Sequence, residues 1–278
     1  MATTKKATKS SKSAKTSKSA GLNKSKTMLL LAAMVAVFGG LFFALNVRAE
    51  ASTLVVNAAN TQGWFTAGTA NGGTVTYTGD AAAPFGAGAL QLKTDTNVAA
   101  KAQYLKAVSM PLADLSSLSY FTKQTAGELT AVPTFQIEVK LHGIADGLTT
   151  FVYEPHYNGE ATLGQWQKWD LSNGQFWSTT SIPPVVVEGN GGEPFYTLDY
   201  LKGWYEQAEI VAFGVNVGTN ETGVTALVDG IAVNDVTYDF EGSAPAPMTK
   251  EACKNGGWRD YPELYKNQGA CVSSVAKS

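Results

Sequence analysis

The sequence is poor in the residues that most metal and nucleophile sites need. It holds two cysteines and two histidines in 278 residues. A zinc site takes four ligands, more than these few side chains supply in one stretch. Neither His142 nor His156 lies near a serine or cysteine of a nucleophile motif, and no glycine-rich phosphate-binding loop is found. These absences argue against a zinc site and a hydrolytic triad.

Acidic residues are missing from the start of the chain. All 23 of them lie from Glu50 onward, whereas eight lysines fall within residues 1–27. Lys, Ser, Thr and Ala make up most of that segment, which predicts a disordered tail on the cytoplasmic side of a membrane. Once these lysines and Arg48 are set apart, the remainder carries a net charge of −11. Such a charge disfavours nucleic acid as a partner.

A single long apolar run, Met28 to Leu45, separates this tail from the rest. As a helix it spans about 27 Å, close to the roughly 30 Å hydrocarbon core of a bilayer. Residues 28–47 are therefore either a membrane anchor or the apolar part of a signal peptide cleaved after Ala51, at the A-x-A pattern 49–51. Both interpretations place the remainder outside the cytoplasm, on the cell surface or secreted.

Residues 53–241 show the alternation of a β-rich domain. Apolar and polar side chains alternate strictly over Thr134–Leu141. Residues 211–217 repeat the period of two, with Val or Phe at every second position and Ala212, Gly214 and Asn216 between them. Further strands are predicted over 53–57, 74–78, 89–94, 118–123, 149–153, 166–171, 226–233 and 236–240, with Gly, Asn, Asp and Pro between them. This pattern predicts an all-β fold, an antiparallel β-sandwich of the jelly-roll type.

One short helix is predicted near Thr197–Gln207. Thr197 is a suitable N-cap residue, and Leu198, Leu201, Trp204 and Tyr205 are expected to share one apolar face.

Residues 242–248 form a proline-containing linker to a tail over 249–278. The tail holds both cysteines of the chain. In an exported segment of this size, Cys253 and Cys271 are expected to form a disulfide.

Several stretches of the β-rich domain resemble jelly-roll modules of bacterial surface proteins, similar to galactose-binding-like and carbohydrate-binding domains. The stretches that carry the resemblance are FGAGALQL at 85–92, FQIEV at 135–139, VYEP at 152–155, WQKWD at 166–170, VDGI at 228–231 and YDFE at 238–241. Such modules often carry a structural calcium ion. The resemblance therefore implies calcium ligands at Asp239 and Glu241; the alternative is that both are ordinary exposed acids.

The tail resembles a short C-terminal motif of bacterial extracytoplasmic proteins whose upstream domains are unrelated. CKNGGW at 253–258, YKNQG at 265–269 and CV at 271–272 carry this resemblance. It implies no chemistry, and we expect the motif to retain the protein in the envelope.

Aromatic side chains provide the best candidate binding site. Stacking rings with nearby polar groups suit a glycan. The candidates are Glu138, Tyr153, Tyr157, Trp166, Trp169 and Trp177, of which Trp166 and Trp169 straddle both faces of one strand.

The sequence thus predicts an exported, non-catalytic module that binds a glycan or another cell-envelope polymer. The alternatives are a structural or adhesive envelope protein with a protein partner and, third, a glycan hydrolase using Glu138, Glu154 and Asp170.

Overall fold

The structure, a computed structural model, describes residues 51–142, 147–185, 192–242, 249–260 and 265–276. The predicted tail 1–27, the apolar run 28–47 and all of the linker except Gly242 lie outside these ranges. Within them, no helix is both long enough and apolar enough to cross a membrane.

Two sheets of seven strands each make up the described β-structure, and together they form a sandwich, as predicted. Sheet A contains β1 (Ser52–Val56), β3 (Thr74–Gly79), β4 (Gly88–Lys93), β6 (Leu118–Ala126), β9 (Gln167–Asp170), β13 (Thr225–Val233) and β14 (Val236–Phe240). Sheet B contains β2 (Trp64–Thr66), β5 (Ala102–Pro111), β7 (Thr134–Lys140), β8 (Leu148–Tyr153), β10 (Gln175–Ser178), β11 (Tyr196–Thr197) and β12 (Glu209–Val217).

Strand β13 is the centre of sheet A. It pairs with β6 along one edge and with β4 and β14 along the other, while β9 extends the sheet beyond β6. Sheet B has the order β11-β10-β8-β7-β12-β5-β2. Strand β1 runs parallel to β14, and the other strand pairs of the described residues are antiparallel. The predicted antiparallel arrangement therefore holds except at this first strand.

The core lies between the two sheets, and the period-two pattern explains which side chains enter it. Phe135, Ile137 and Val139 of β7 are fully buried, whereas the residues between them point to the other face of sheet B. Trp64 of sheet B packs on Phe240 of sheet A with ring centroids 5.1 Å apart. Such contacts join the two sheets through aromatic rings.

The predicted helix is present as α2 (Leu198–Trp204). The side-chain oxygen of Thr197 accepts a hydrogen bond from the backbone N–H of Tyr200, and Leu198 and Leu201 are buried. The prediction for Trp204 was wrong, because its side chain is 57% exposed. Around the helix axis it lies about 120° from Leu198, and it is the last residue of the helix.

Two other short α-helices and three 3₁₀ helices complete the secondary structure of the described residues. They are α1 (Pro155–Asn158), α3 (Gln268–Val275) and the 3₁₀ segments Leu112–Asp114, Leu129–Ala131 and Gly257–Asp260.

A loop before β4 is held by the carboxylate of Glu241. The backbone N–H of Ala87 donates to both Glu241 oxygens, at 3.0 and 3.3 Å. A Cβ at Gly86 would lie 1.4 Å from Glu241 Oε1, and one at Gly88 would lie 2.2 Å from the backbone nitrogen of Gly242. The two glycines are required here because the acidic side chain occupies the space beside them.

In the tail, Cys253 and Cys271 form the predicted disulfide, and both are buried. Helix α3 begins after Asn267, whose side chain accepts a hydrogen bond from the backbone N–H of Ala270 at 2.9 Å. The guanidinium of Arg259 lies 5.0 Å from the centre of the Trp258 ring.

Candidate ligand-binding cleft

The outer face of sheet B, the side turned away from the core, forms the floor of a cleft. Strand register places Trp177 beside Val152, and Val152 beside Gln136, in one row across β10, β8 and β7. In the next row Thr134 is paired with Asn216 of β12. The floor is therefore built from side chains that alternate with core residues along each strand.

The cleft has a volume of about 660 Å³. Its walls are residues 130–132 after β6, helix α1 after β8, and the loop 217–221 after β12. The walls are thus formed by the chain segments that follow strands β6, β8 and β12. The volume lies within the range of small-molecule sites in proteins.

Glu154 links the floor to helix α1. The indole Nε1 of Trp177 donates a hydrogen bond of 2.8 Å to Glu154 Oε1, and Nδ1 of His156 lies 3.3 Å from Oε2. The ring of Tyr157 is 40% exposed and contacts two other rings, those of His156 and Phe195. Pro155 starts α1 at the position where proline is favoured, so the helix begins directly after Glu154.

Glu221 is the second carboxylate of the cleft. Burial raises its pKa, and the negative charge of Glu154 raises it further. Desolvation and repulsion by a like charge both disfavour the charged form of Glu221. Lysine and arginine do not occur among the described residues that line the cleft.

Two amide side chains, Gln136 and Asn216, complete the floor. Gln103 Nε2 donates to Gln136 Oε1 at 2.6 Å. Asn216 is 6% exposed and lines the cleft, but its Oδ1 has no hydrogen-bond partner among the described residues. A buried acceptor without a donor is costly, and a ligand hydroxyl or amine would satisfy it.

Two of the predicted site residues, Tyr157 and Trp177, line this cleft. Glu138 lies on the same outer face of sheet B, beside Thr150, but outside the residues that line the cleft.

The other predicted aromatic residues are elsewhere. Tyr153 is 2% exposed and Trp169 is 7% exposed, so both rings belong to the core and are closed to a ligand. Trp169 Nε1 donates to Thr122 Oγ1 at 2.7 Å, which satisfies its polar atom inside the protein. Trp166 precedes β9 in sheet A and does not line the cleft. The alternation along each strand sends these side chains to different faces.

The three carboxylates considered for hydrolysis are not gathered in one site. Glu138 and Glu154 belong to the sheet B side, whereas Asp170 ends β9 in sheet A. Asp170 is exposed, and the backbone N–H of Ser172 donates to it and lowers its pKa.

The two residues considered for calcium lie close enough to interact electrostatically, and Glu241 also has a structural hydrogen bond. Both oxygens of Glu241 accept the N–H of Ala87, as described above. Asp239 is 8% exposed, and burial, together with the charge of Glu241, raises its pKa. In the described part of the chain, no group of three or more His, Cys, Asp or Glu side chains is placed to hold a metal ion. Asp239 Oδ1 has no hydrogen-bond partner among the described residues, and calcium ligation by these two residues stays a prediction.

Sequence reasoning missed Asn216 and Glu221 as site residues. Asn216 interrupts an otherwise apolar strand, Val215-Asn216-Val217, and a polar residue at a buried position is a signal that could have been used. Glu221 follows Asn220 in a turn and carries no comparable signal.

A second cavity of about 550 Å³ lies beside the C-terminal end of α2, between His142, Pro184 and Trp204. The rings of Tyr200 and Trp204, with centroids 6.2 Å apart, are exposed on this helix.

Comparison with known proteins gave structural likeness only. No family model matches the chain, and no curated protein matches it in sequence. The family 11 carbohydrate-binding module of the cellulosomal cellulase Lic26A-Cel5E of Clostridium thermocellum has 14% identity and a TM-score of 0.39, over 64% of this chain and 89% of that chain. The same module solved with a β-1,3-1,4-mixed-linked tetrasaccharide has 13% identity and a TM-score of 0.38, over 64% and 91%.

The CBM22-1 xylan-binding domain of Paenibacillus barcinonensis Xyn10C has 16% identity and a TM-score of 0.31, over 62% of this chain and 85% of that domain. At these identities and TM-scores, the comparisons assign neither a ligand nor a site to this chain.

Proposed function

We propose that this protein is an exported, non-catalytic module of the cell surface that recognises a glycan in the cleft on sheet B. The observation that carries the proposal is the combination of the exposed Tyr157 ring and the half-buried Trp177 ring with hydrogen-bonding groups around one floor. Sugar rings present apolar C–H faces that pack on Trp177 and Tyr157. Their hydroxyl groups can donate to Glu154 and Asn216.

The electrostatics of the cleft support an uncharged or donor-rich ligand. Two carboxylates line it, and no lysine or arginine of the described residues does. Phosphate, sulfate and uronate groups would be repelled, which is why we expect neither nucleic acid nor an acidic polysaccharide as the partner.

A structural or adhesive role with a protein partner is the second candidate function. It is favoured by the exposed rings of Tyr200 and Trp204 on α2, which contact each other in a tilted arrangement at the surface, with Trp204 lining the second cavity. Exposed aromatic groups of this kind are frequent at protein interfaces.

Glycan arrays followed by calorimetry test the proposal. We expect Trp177→Ala to weaken binding of the selected glycan by at least about tenfold, because it removes a central ring of the cleft. Trp204→Ala is the matched control and should leave binding unchanged. Absence of any glycan ligand, or equal binding by Trp177→Ala, would overturn the glycan proposal. Loss of binding to cell-envelope protein in Trp204→Ala alone would favour the second candidate.

A further inference from the structure

The cleft is rich in hydrogen-bond acceptors and negatively charged. Glu154 and Glu221 face it from different elements, the end of β8 and the loop after β12. Glu154 has one neighbouring donor from Trp177, and it lies close enough to Glu221 to affect the ionisation of that group. Neutral sugars would satisfy acceptors with hydroxyl groups but would leave the two charges uncompensated.

An independent feature points to the same kind of ligand. Asn216 is 6% exposed, lines the cleft, and has an Oδ1 atom with no donor among the described residues. Its strand β12 also leads directly into the loop that carries Glu221. Three acceptors, two of them carboxylates, therefore line the same cleft, in which Trp177 donates to Glu154 and His156 lies beside that carboxylate.

A primary ammonium group is the ligand feature that fits this arrangement. It has three N–H donors and one positive charge, so it can donate to Asn216 and to both carboxylates at once. A hydroxyl group has a single donor and no charge. An N-acetylated amine has a single donor and adds an apolar acetyl group, which the carboxylates do not match.

We propose that the glycan bound in the cleft contains amino sugars with a free amine, and that the ammonium group lies between Glu154, Glu221 and Asn216. This inference rests on the proposed glycan-binding function and specifies its ligand class. Polymers of this class include glucosamine-containing chains from which the acetyl groups have been removed.

The test uses three β-1,4-linked tetrasaccharides that differ only at carbon 2: the tetramers of glucosamine, of N-acetylglucosamine and of glucose. Binding is measured by calorimetry on the full chain at about pH 6, where the sugar amines are largely protonated. We expect the glucosamine tetramer to bind at least about tenfold more tightly than the other two, since charge-assisted hydrogen bonds are the stronger ones.

Two variants assign the preference to the carboxylates. Glu221→Gln keeps the shape of the side chain but removes its charge, and should reduce the preference for the amine by about tenfold or more. Glu160→Gln changes an exposed acid that does not line the cleft and should change nothing.

The outcomes separate the two proposals. Equal binding of the three tetramers, or a preference for the acetylated one, would overturn the amine inference and keep the glycan function. An amine preference that Glu221→Gln leaves intact would also overturn the inference, because the charge would then act elsewhere. Failure of all three tetramers, together with failure on a glycan array, would overturn the glycan function itself.

Discussion

Trp177 and Glu154 form a hydrogen-bonded pair in which the indole Nε1 donates to the carboxylate Oε1 at 2.8 Å. The bond connects β10 to the residue that starts helix α1, and it fixes the orientation of a half-buried ring in the cleft. Glu154 therefore positions the Trp177 ring and also places a carboxylate in the cleft. Substitutions can separate these two roles.

Glu154→Ala should weaken glycan binding and also lower the free energy of unfolding by about 1–3 kcal/mol, because it leaves the Trp177 N–H without an acceptor. Glu154→Gln retains a carbonyl oxygen and should keep most of the stability. Urea denaturation and calorimetry on both variants measure the two effects. A Gln variant as unstable as the Ala variant would contradict the positioning role of the hydrogen bond.

Gly86 should tolerate alanine poorly. Its φ is +53°, and an added Cβ would lie 1.4 Å from Glu241 Oε1, so Gly86→Ala must displace the carboxylate that holds this loop. We expect a loss of about 2–4 kcal/mol in the free energy of unfolding. Gly164→Ala is a matched control, since Gly164 also has a positive φ but has open space around it, and should cost only about 1–2 kcal/mol. Equal losses would show that backbone strain alone decides both positions.

Asp229 should make the stability depend on pH. Burial raises its pKa to about 7, although the N–H groups of Phe85 and Phe240 donate to it and favour the charged form. Between about pH 4 and pH 7 the native state holds a proton that the unfolded chain has released. The free energy of unfolding due to this group therefore falls as the pH rises, by up to about 4 kcal/mol.

Acids with a lowered pKa have the opposite effect, because they make the free energy of unfolding rise with pH. The pKa of Asp80 is lowered, because its bonds to Lys123 and to the N–H of Ala82 outweigh burial. The measurement is therefore the difference between the wild type and Asp229→Asn in urea denaturation across that pH range. The difference should shrink or reverse towards neutral pH, and a constant difference would contradict the raised pKa.

The disulfide should stabilise the folded structure of the tail, and its loss should leave the stability of the sandwich unchanged. Replacing Cys253 and Cys271 by serine removes a crosslink between residues 18 apart, worth roughly 3 kcal/mol in the chain-entropy model. Helix α3 has eight residues, too few to persist alone. Its amides should exchange with solvent much faster in the variant, while a chain ending at Glu241 should still unfold cooperatively. Aggregation of that shortened chain would contradict the predicted domain boundary.

Export is tested separately on cells. Protease added to intact, wall-stripped cells should digest residues 53–241 if the lysine-rich segment stays in the cytoplasm. Mass spectrometry of the mature chain then distinguishes a start at Ser52, which means cleavage, from a retained N-terminal tail. Full protection of the domain would contradict the export prediction.

The strands that the sequence did not predict are either short, with two to four residues in β2, β10 and β11, or lack a visible alternation, as β5 does. The ten predicted strands are all present, but β2, β5, β10 and β11 were missed. In β5, Gln103 and Leu105 are buried on the outer face of sheet B, as Ala102 and Tyr104 are in the core, so no alternation is visible. The sequence of such a strand shows no period of two, so it is not recognised as a strand.

The site could be predicted only in part, for a related reason. The local composition around Trp169 and Trp177 is similar, yet Trp169 is in the core while Trp177 follows the buried Phe176 and points outward. Which face a residue occupies depends on strand register, and strand register depends on partners far along the chain. Asn216 and Glu221 join Glu154 only because β12 pairs with β7 and β7 pairs with β8.

The parallel pairing of β1 with β14 has a consequence for the order of folding. Ser52 pairs with Val236 and Val56 with Phe240, so the first described strand has no partner until the last strand of the sandwich has been synthesised. Glu241, which holds the loop at Ala87, comes later still. A nascent chain shorter than about 240 residues thus keeps an open edge on sheet A, where a foreign strand could add. Sheet A is therefore completed only after β14 has been synthesised, and this pairing of distant strands is expected to form late in folding.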